Sequence, residues 1–337
     1  MTLQDVARTA GVSSKTVSRV VNNEANVAAK TSERVKQAIA QLNYVPNSAA
    51  RSLSSGRAMA IAFVAGWSVN TAYSSMLIDS LLQDTMHNDH SLMLFPSDAG
   101  TAARVAAAFL GRQIDSVVLD SMAADNSGLI DRLRALKRPY VVIHPNFLDR
   151  YENGSFVRID NFQAAKEATD YLIGLGHRSI GIVSFPSNAP GTERLGGYRA
   201  ALEQAGIGLQ PGYVHEAMDV PVKIGYRGAL QLISDHPEIT AIFAATDEIA
   251  IGTLTAIWQL GLKVPEDISV IGFDDISLAS LITPPLTTIR QPMAEISRAV
   301  VEMAIDMVEN PHNERTDVVL PTELVIRKSC QPPRGRP

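Results

Sequence analysis

The sequence predicts an α/β protein, in which a small all-α head precedes two doubly wound α/β lobes. Helical periodicity with capping residues covers roughly the first 46 residues. From Ala58 onward, short apolar runs alternate with amphipathic helical stretches, which is typical of parallel sheets covered by helices on both faces. The length of 337 residues also exceeds what one hydrophobic core usually supports.

The composition indicates a protein of the cytoplasm. The apolar fraction of 46% is ordinary, and no stretch approaches the roughly 18 apolar residues of a membrane span. The first residues lack the basic start and apolar run of a signal peptide. Cys330 is the single cysteine, which excludes an intramolecular disulfide, and the nearby pair His87 and His90 has no further ligands in sequence. We therefore expect neither a metal nor a cofactor.

The charge is distributed unevenly along the chain. Residues 1–57 carry eight basic and three acidic side chains, whereas the rest of the chain carries 22 basic and 32 acidic ones. Phosphate contacts need a local density of Lys and Arg rather than a basic whole protein. This asymmetry favours a head that binds nucleic acid, attached to an acidic body.

The head is predicted to consist of three helices. Thr2 and Asp5 have the spacing of a capping box, and Gly11 is expected to end the first helix. Ser13 is expected to cap the second helix and Thr31 the third. Asn43 and Pro46 then close the head.

The second helix has one apolar and one polar face. Val17, Val20 and Val21 point inward, while the opposite face groups Ser14, Lys15, Ser18, Arg19 and Asn22. Such a helix suits a DNA major groove, where Lys and Arg reach guanine edges and Asn reaches adenine or phosphate. The spacing alone is equally compatible with an ordinary three-helix module.

The first fifty residues resemble a known family of regulators much more specifically. The segment TLQDVARTAGVSSKTVSRVVNNEANVAAKTSERVKQAIAQLNYVPNSAARSL is similar to the head of the lactose/purine repressor (LacI) family, and the similarity continues over the whole chain. The resemblance implies a helix-turn-helix in which Ser14, Lys15 and Arg19 read bases. It also implies that a second group of residues mainly contacts the DNA backbone: Thr2, Thr16, Asn22 and Thr31. Ser13 and three residues of the following segment, Asn47, Ala50 and Leu53, complete the candidate DNA-contact set.

Residues 47–57 form a short Ala-rich and Ser-rich segment. By itself it is too short for a stable helix in water and indicates a linker. The resemblance instead implies a hinge that becomes helical when two subunits meet on DNA, with Leu53 wedged into the minor groove. The resulting division is a DNA-binding domain at 1–46, the hinge, and an effector-binding and dimerisation domain at 58–337. Within the last, the N-lobe is expected at about 58–158 and 290–318, and the C-lobe at about 159–289 and 319–330.

Ligands of doubly wound lobes bind beyond the carboxyl ends of the strands, which is here the cleft between the lobes. Asp274 ends one strand, and Arg194 is expected to open a helix after another. An Asp and an Arg facing one cleft can bind a polyol. For Asp274, a helix N-cap or an ion pair is the alternative, and Asp247 is interpreted as the N-cap of the helix DEIAIGTLTAIWQLG.

The segments ERLGGY, ATDEIAIG and GFDD match sensor-domain motifs of the same family, whose fold resembles periplasmic binding proteins. The resemblance implies the following effector-binding residues: Tyr73, Ser74, His144, Arg194, Thr246, Asp274 and Gln291. Three positions depart from the usual pattern. His144 replaces an acidic residue, Thr246 replaces Asn, and Val220 replaces a stacking aromatic, for which Trp67 is a substitute candidate.

These features together predict a transcriptional regulator, a repressor, that binds a palindromic operator as a homodimer. A sugar or sugar derivative is the expected effector, and a purine, an amino acid or a partner protein is the alternative. A solute-binding receptor would not need the basic head. An enzyme is disfavoured because the sequence has no Walker loop, no dinucleotide fingerprint and no nucleophile elbow.

Overall fold

The computed structural model describes residues 1–21, 27–44, 57–66, 71–120, 128–145, 154–185, 189–311 and 316–334. The chain divides into two compact units, Met1–Met59 and Ala60–Pro337. Among the described residues, no helix is both long and apolar enough to cross a membrane.

The described part of the first unit folds into three helices, α1 (Leu3–Ala10), α2 (Ser14–Val21) and α3 (Ala29–Gln41). The capping box of Thr2 and Asp5 is present, and Gly11 ends α1 in the left-handed conformation. The Ser13 hydroxyl accepts a hydrogen bond from the Thr16 amide at 3.1 Å, as expected of an N-cap. The core of this unit is a small apolar cluster contributed by all three helices.

The expected cap of α3 is wrong. The helix begins at Ala29, and its N-cap is Ala28, which makes no side-chain cap. The amides of Thr31 and Ser32 both donate to the Ala28 carbonyl, at 2.8 and 3.0 Å. Thr31 therefore lies in the first turn, because helical hydrogen bonding already begins three residues before it.

The second unit contains two six-stranded sheets. The chain first forms, in order, β1 (Ala60–Ala65), α4 (Ala72–His87), β2 (Ser91–Pro96), α5 (Thr101–Leu110), β3 (Ser116–Asp120), α6 (Leu129–Ala135), β4 (Tyr140–Ile143) and β5 (Ser155–Ile159). It continues with α7 (Asn161–Gly174), β6 (Ile180–Ser184), α8 (Ala189–Gln204), β7 (Val214–Glu216), α9 (Pro221–Asp235), β8 (Ala241–Ala244), α10 (Asp247–Gln259), β9 (Ser269–Asp274) and β10 (Thr287–Arg290). The last elements are α11 (Met293–Glu309), β11 (Asp317–Leu320) and β12 (Glu323–Val325).

The strand order is β11-β5-β4-β3-β1-β2 in the first sheet and β12-β10-β9-β8-β6-β7 in the second. We call the first sheet with its helices lobe 1, and the second sheet with its helices lobe 2. Strand β12 pairs with β10 in the antiparallel sense, and the other pairs are parallel. The prediction of an α/β fold with two parallel lobes is confirmed.

The chain passes between the lobes at three places, after β5, after β10 and after β11. After β10 it returns to lobe 1, where α11 packs against α4 and the central strands. Close to the first of these passages, residues Ser155–Ile159 form β5 and pair with both β4 and β11. The strands of both sheets are almost wholly buried, apart from the edge strands β2, β7, β11 and β12.

Helices α9 and α10 of lobe 2 pack with their backbones in close approach. A Cβ atom on Gly225 would lie 1.9 Å from the Ile249 carbonyl oxygen, and one on Gly252 would lie 2.0 Å from the Val222 oxygen. Only glycine fits at either position. The rigid helix pair supports the first turn of α10 at the carboxyl edge of the sheet, where several candidate residues lie.

Candidate functional site

The carboxyl ends of the parallel strands carry the candidate residues. His144 follows β4 in lobe 1, Thr246 follows β8, Asp274 ends β9, and Gln291 follows β10 at the crossover. His144 has a φ of 50° and Asp274 a φ of 114°. Both lie in a region that favours glycine, and such strain costs on the order of 1–3 kcal/mol and clusters at functional sites.

Arg194 and Asp274 form a buried ion pair in lobe 2. Nη1 of Arg194 lies 3.5 Å from Oδ1 of Asp274. Burial raises the pKa of Asp274 to about 6, against the lowering effect of the Arg194 charge. Burial likewise lowers the pKa of Arg194. An ion pair, the alternative role predicted for Asp274, is therefore present at the carboxyl end of β9.

Arg194 lies in the second turn of α8 rather than at its start. The helix begins at Ala189, and Pro190 is accommodated in the first turn, where its missing N–H is not needed. Sequence reasoning missed the groups that hold the guanidinium: Nε donates to Asn161 at 2.9 Å, and Nη1 donates to the Ala245 carbonyl at 2.6 Å. Its Cζ atom also lies 3.5 Å from the centroid of the Phe273 ring.

Gln291 and His144 adjoin this pair from the crossover and from lobe 1. Nε2 of Gln291 donates to Oδ1 of Asp274 at 2.7 Å. The Ile159 amide donates to Nδ1 of His144 at 3.4 Å, which leaves the ring proton on Nε2. Burial, reinforced by the charge of Arg194, lowers the pKa of His144 to about 3, so the ring is neutral near pH 7. The side chain of His144 is thus an uncharged donor.

Tyr73 approaches the same cluster from the first turn of α4. Burial, followed by the charges of Asp120 and Asp274, raises the pKa of its hydroxyl. The hydroxyl of Tyr73, Nε2 of His144 and Oε1 of Gln291 are buried and make no hydrogen bond of regular geometry within the described residues, although the Gln291 side chain lies near enough to His144 to oppose the lowering of its pKa. Buried polar atoms without partners are costly and require an explanation. A polar ligand in the cleft would supply the missing hydrogen-bond partners.

Thr246 serves as a helix cap, and Ser74 lies in the first turn of α4, where it is hydrogen-bonded to the cap of that helix. The Ser74 hydroxyl accepts from Thr71, the N-cap of α4, at 2.8 Å, and the Thr246 hydroxyl accepts from the Ile249 amide at 3.1 Å. The interpretation of Asp247 as the N-cap of α10 is wrong, because Thr246 holds that position. Asp247 is the first helical residue, and its buried carboxylate instead accepts from two groups: the Ile276 amide at 2.8 Å and the Thr288 hydroxyl at 2.6 Å.

The second candidate surface is the polar face of α2 in the first unit. Lys15 and Arg19 are exposed, and Ser14 and Thr16 are half-buried, whereas Val17 and Val20 are buried. The hydroxyls of Thr2 and Ser13 cap the N-termini of α1 and α2. Four candidate residues, together with Trp67, lie outside the described part of the chain: Asn22, Asn47, Ala50 and Leu53. Val220 is the N-cap of α9 and is 54% exposed.

The described residues contain no group of three or more His, Cys, Asp or Glu side chains that could hold a metal ion. The polar cluster of the cleft instead combines an uncharged donor, a free amide oxygen, a phenol and a buried ion pair. These groups can bind a hydroxylated molecule through several simultaneous hydrogen bonds.

Comparison with known proteins identifies two families. The profile of bacterial regulatory proteins, lacI family, matches residues 2–47, and that of the periplasmic binding protein-like domain matches residues 169–330. The ribose operon repressor of Haemophilus influenzae is 32% identical over 331 residues, which are 97% of this chain and 98% of the repressor.

Two solved structures share the fold over nearly the whole chain. The lac repressor dimer bound to operator and the anti-inducer ONPF matches with a TM-score of 0.80 and 27% sequence identity. The complex of the transcriptional regulator CelR with cellobiose matches with a TM-score of 0.74 and 30% sequence identity. Each comparison covers 98% of this chain and 99% of the other. On the sequence match, the coverage and the shared fold, the chain belongs to the LacI family of bacterial regulatory proteins.

Proposed function

We propose that this protein is a transcriptional repressor that binds a palindromic operator as a homodimer and is controlled by a small polar effector in the cleft between its lobes. The observation that carries the effector proposal is the set of buried, unpartnered atoms of Tyr73, His144 and Gln291 beside the Arg194–Asp274 pair. Such a regulator acts in the cytoplasm, on the nucleoid, and its effector acts by binding without any chemical step.

The DNA-contact surface is proposed to be the head and the hinge, with the boundaries 1–46 and 47–57. Lys15 and Arg19 extend from a helix whose opposite side is buried, which is the arrangement needed for a helix that enters the major groove. The capped N-termini of α1 and α2 present amides to phosphates. The proposed contact set is Thr2, Ser13, Ser14, Lys15, Thr16, Arg19, Asn22, Thr31, Asn47, Ala50 and Leu53.

The effector is proposed to be a sugar or sugar derivative. Asp274 and Gln291, at the ends of adjacent strands, offer a charged acceptor and an amide, and Arg194 of α8 offers a charged donor beside them, which suits the neighbouring hydroxyls of a sugar ring. One of the related structures holds cellobiose, and the related Haemophilus protein is named for the ribose operon. We assign the effector to Tyr73, Ser74, His144, Arg194, Thr246, Asp274 and Gln291.

The dimer interface is proposed to include lobe 1. Helix α4 exposes Leu82 and Met86 one turn apart, and exposed leucines also occur on the neighbouring edge strand β2 and on α5, namely Leu94 and Leu110. Large exposed apolar side chains that recur on adjacent elements mark interaction surfaces. Two subunits related by a twofold axis then match the two half-sites of a palindrome.

Selection of binding sites from a random duplex library tests the proposal. The full-length chain is expected to enrich one inverted-repeat sequence, and the enriched duplex is then titrated in the presence of sugars and nucleobases. Enrichment of no sequence over random competitor would contradict DNA recognition. A change of operator affinity caused by nucleobases and by no carbohydrate would contradict the sugar assignment while leaving the regulator intact.

A further inference from the structure

The turn that follows β9 has a strained backbone. Asp274, the last residue of β9, has a φ of 114°, and the next residue, Asp275, has a φ of 56°. Positive φ values are uncommon for residues other than glycine. Two such residues in succession persist only where the surrounding structure holds them in place. The contacts of this turn therefore determine the orientation of the Asp274 carboxylate in the effector site.

The carboxylate of Asp275 is held by two arginines. Nε of Arg290 donates to Oδ2 of Asp275 at 2.7 Å, and Nη2 of Arg327 lies 2.7 Å from Oδ1. The side chains of Asp275 and Arg327 are only 9% and 16% exposed, so water and salt screen their attraction little. Because each oxygen of this carboxylate faces a guanidinium, Asp275 holds the turn rather than contacting a ligand.

Arg327 is itself fixed to the start of β10. Its Nη1 donates to the Leu286 carbonyl at 2.8 Å, and its backbone amide donates to the Thr287 hydroxyl at 3.0 Å. Leu286 and Thr287 are both buried, and Thr287 is the first residue of β10. The guanidinium of Arg327 is thus a rigid partner for the turn.

Arg290 connects the turn to two of the passages between the lobes. In the strand register it lies opposite Asp274 on β9 and opposite Glu323 on β12. Its Nη1 donates to Glu323 at 2.8 Å. Arg290 ends β10 and Glu323 begins β12, so this pair lies where the chain leaves lobe 2 and where it returns. The Arg290–Glu323 pair is more exposed and contributes less than the pair of Asp275 with Arg327.

The residues on either side of Asp275 have separate partners. Nε2 of Gln291 donates to Oδ1 of Asp274 at 2.7 Å, and the Ile276 amide donates to Oδ2 of the buried Asp247 at 2.8 Å. Asp275 differs from both neighbours in having two charged donors. Hydrogen bonds between ionised groups are about twice as strong as neutral ones. Its contacts are therefore the strongest that oppose relaxation of the turn.

We propose that Asp275 is a positioning residue of the effector site, whose pairs with the two arginines hold Asp274 in the conformation that binds the effector. This inference rests on the proposed function, because it assigns a role at that same site. Without the charge of Asp275 the strained turn can relax, and Asp274 then leaves its position beside Arg194. A carboxylate that is already oriented binds its ligand more tightly, because less freedom is lost on binding.

Calorimetric titrations of the full-length protein with ribose, cellobiose and adenosine test the inference. Asp275→Asn removes the charge but keeps a residue that tolerates the same backbone conformation, and Arg327→Met removes the more buried of the two arginines. Each variant is expected to weaken binding of any compound that binds the wild type by at least about tenfold, the equivalent of one charge-assisted hydrogen bond. Wild-type affinity in both variants would overturn the inference.

The affinity for operator in the absence of these compounds separates positioning from general destabilisation. It is expected to change by less than about twofold in both variants, because neither residue belongs to the head. Melting temperatures show that each variant is folded under the conditions of the titration. A loss of operator affinity as large as the loss of effector affinity would overturn the positioning role.

Two further variants and one combination provide the controls. Asp170→Asn removes a carboxylate from the 2.6 Å ion pair with Lys166 on α7 of the same lobe and is expected to bind like the wild type. Arg327→Lys keeps the charge without the planar guanidinium and is expected to fall between the wild type and Arg327→Met. Asp275→Asn combined with Arg327→Met should bind at most about twofold more weakly than Asp275→Asn alone. Effects that multiply, or an equal loss in Asp170→Asn, would overturn the assignment.

Crystal structures of the wild type and of Asp275→Asn without ligand test the positioning directly. The Asp274 carboxylate is expected to be displaced in the variant by at least about 0.5 Å, which exceeds the tolerance of a preorganised site. An unchanged Asp274 carboxylate, still 3.5 Å from Nη1 of Arg194, would overturn the inference.

The two measurements distinguish a failure of this inference from a failure of the proposed function. If none of the three compounds binds the wild type, the sugar assignment loses support, and a displaced Asp274 in the variant still supports the positioning role. If a sugar changes operator affinity and binds the wild type and Asp275→Asn equally, the regulator is supported and the positioning role fails.

Discussion

Nη1 of Arg194 and Oδ1 of Asp274 lie 3.5 Å apart, and the two side chains are only 5% and 6% exposed. The pair connects helix α8 with the end of strand β9 in lobe 2. Gln291 donates to the same carboxylate oxygen from the crossover that leads back to lobe 1. A charged, hydrogen-bonded group of side chains is therefore preformed at the point where the chain passes between the lobes.

Replacement of Asp274 tests its role in effector binding. Asp274→Ala is expected to abolish the response of operator binding to the effector while leaving the affinity for operator nearly intact, because the head and hinge are unchanged. Asp274→Asn keeps the side-chain volume and is expected to give the same loss, since the buried Arg194 then lacks its counter-charge. Fluorescence anisotropy with a labelled operator measures both quantities, and normal induction in either variant would remove Asp274 from the site.

The affinity for the effector is expected to depend on pH. Asp274 has a pKa of about 6 and accepts hydrogen bonds from ligand hydroxyls best when ionised. The dissociation constant should therefore rise as the pH falls below about 6, by up to roughly tenfold per pH unit. His144, with a pKa of about 3, stays neutral between pH 5 and pH 8 and does not contribute.

Calorimetry between pH 5 and pH 8 checks this dependence. Glu248→Gln removes a negative neighbour of Asp274 and is expected to move the inflection to lower pH. An affinity that is constant over the whole range would show that ligand binding does not depend on ionised Asp274.

Arg19 is expected to specify one base position in each half-site. Arg19→Ala should weaken operator binding by about 1–3 kcal/mol and relax the base preference at that position. Lys36→Ala removes an equal charge from the exposed side of α3 and should weaken binding, if at all, without changing the base preference. Site selection with both variants makes the comparison, and an unchanged selection profile for Arg19→Ala would exclude a base contact.

The close approach of α9 and α10 predicts that two glycine substitutions differ strongly in their effect on the free energy of unfolding. Gly225→Ala places a methyl group against the Ile249 carbonyl and should lower the free energy of unfolding by at least about 1–3 kcal/mol. Gly174→Ala in α7 meets no atom within 4 Å and should be neutral or stabilising by up to about 1 kcal/mol. Scanning calorimetry of the full-length variants checks this order, and equal melting temperatures would refute it.

Elements defined by local patterns could be predicted from the sequence. The capping box of Thr2 and the buried Val17 and Val20 depend on residues three or four apart, and they occur as expected. The strands β1, β3, β4 and β9 are continuous apolar runs, which is the pattern that predicts strands covered on both faces. Their alternation with helices was sufficient to predict two doubly wound lobes.

Features that depend on distant pairing could not be predicted. Strand β5 contains Arg158, which interrupts the apolar pattern, but the guanidinium lies beside Asp317 on β11, 159 residues further along the chain. The hydrogen-bond partners of Arg194 could not be predicted for the same reason, since Asn161 and Ala245 are 33 and 51 residues away from it in the sequence. The resemblance supplied Tyr73, His144 and Gln291 as candidates, and their proximity to Asp274 follows from the fold, while their contacts with an effector stay a prediction.

We expect a ligand bound between the two lobes to control the affinity of the head for DNA. The most direct test of this control is a titration of the selected palindromic duplex with the full-length protein, with and without the tightest-binding sugar. We expect sequence-specific binding of a dimer, with an affinity for the palindrome that changes at least about fivefold with the sugar in the wild type and not in Asp274→Ala. The same affinity for the palindrome and for random duplex, or a response to the sugar that survives in Asp274→Ala, would contradict it.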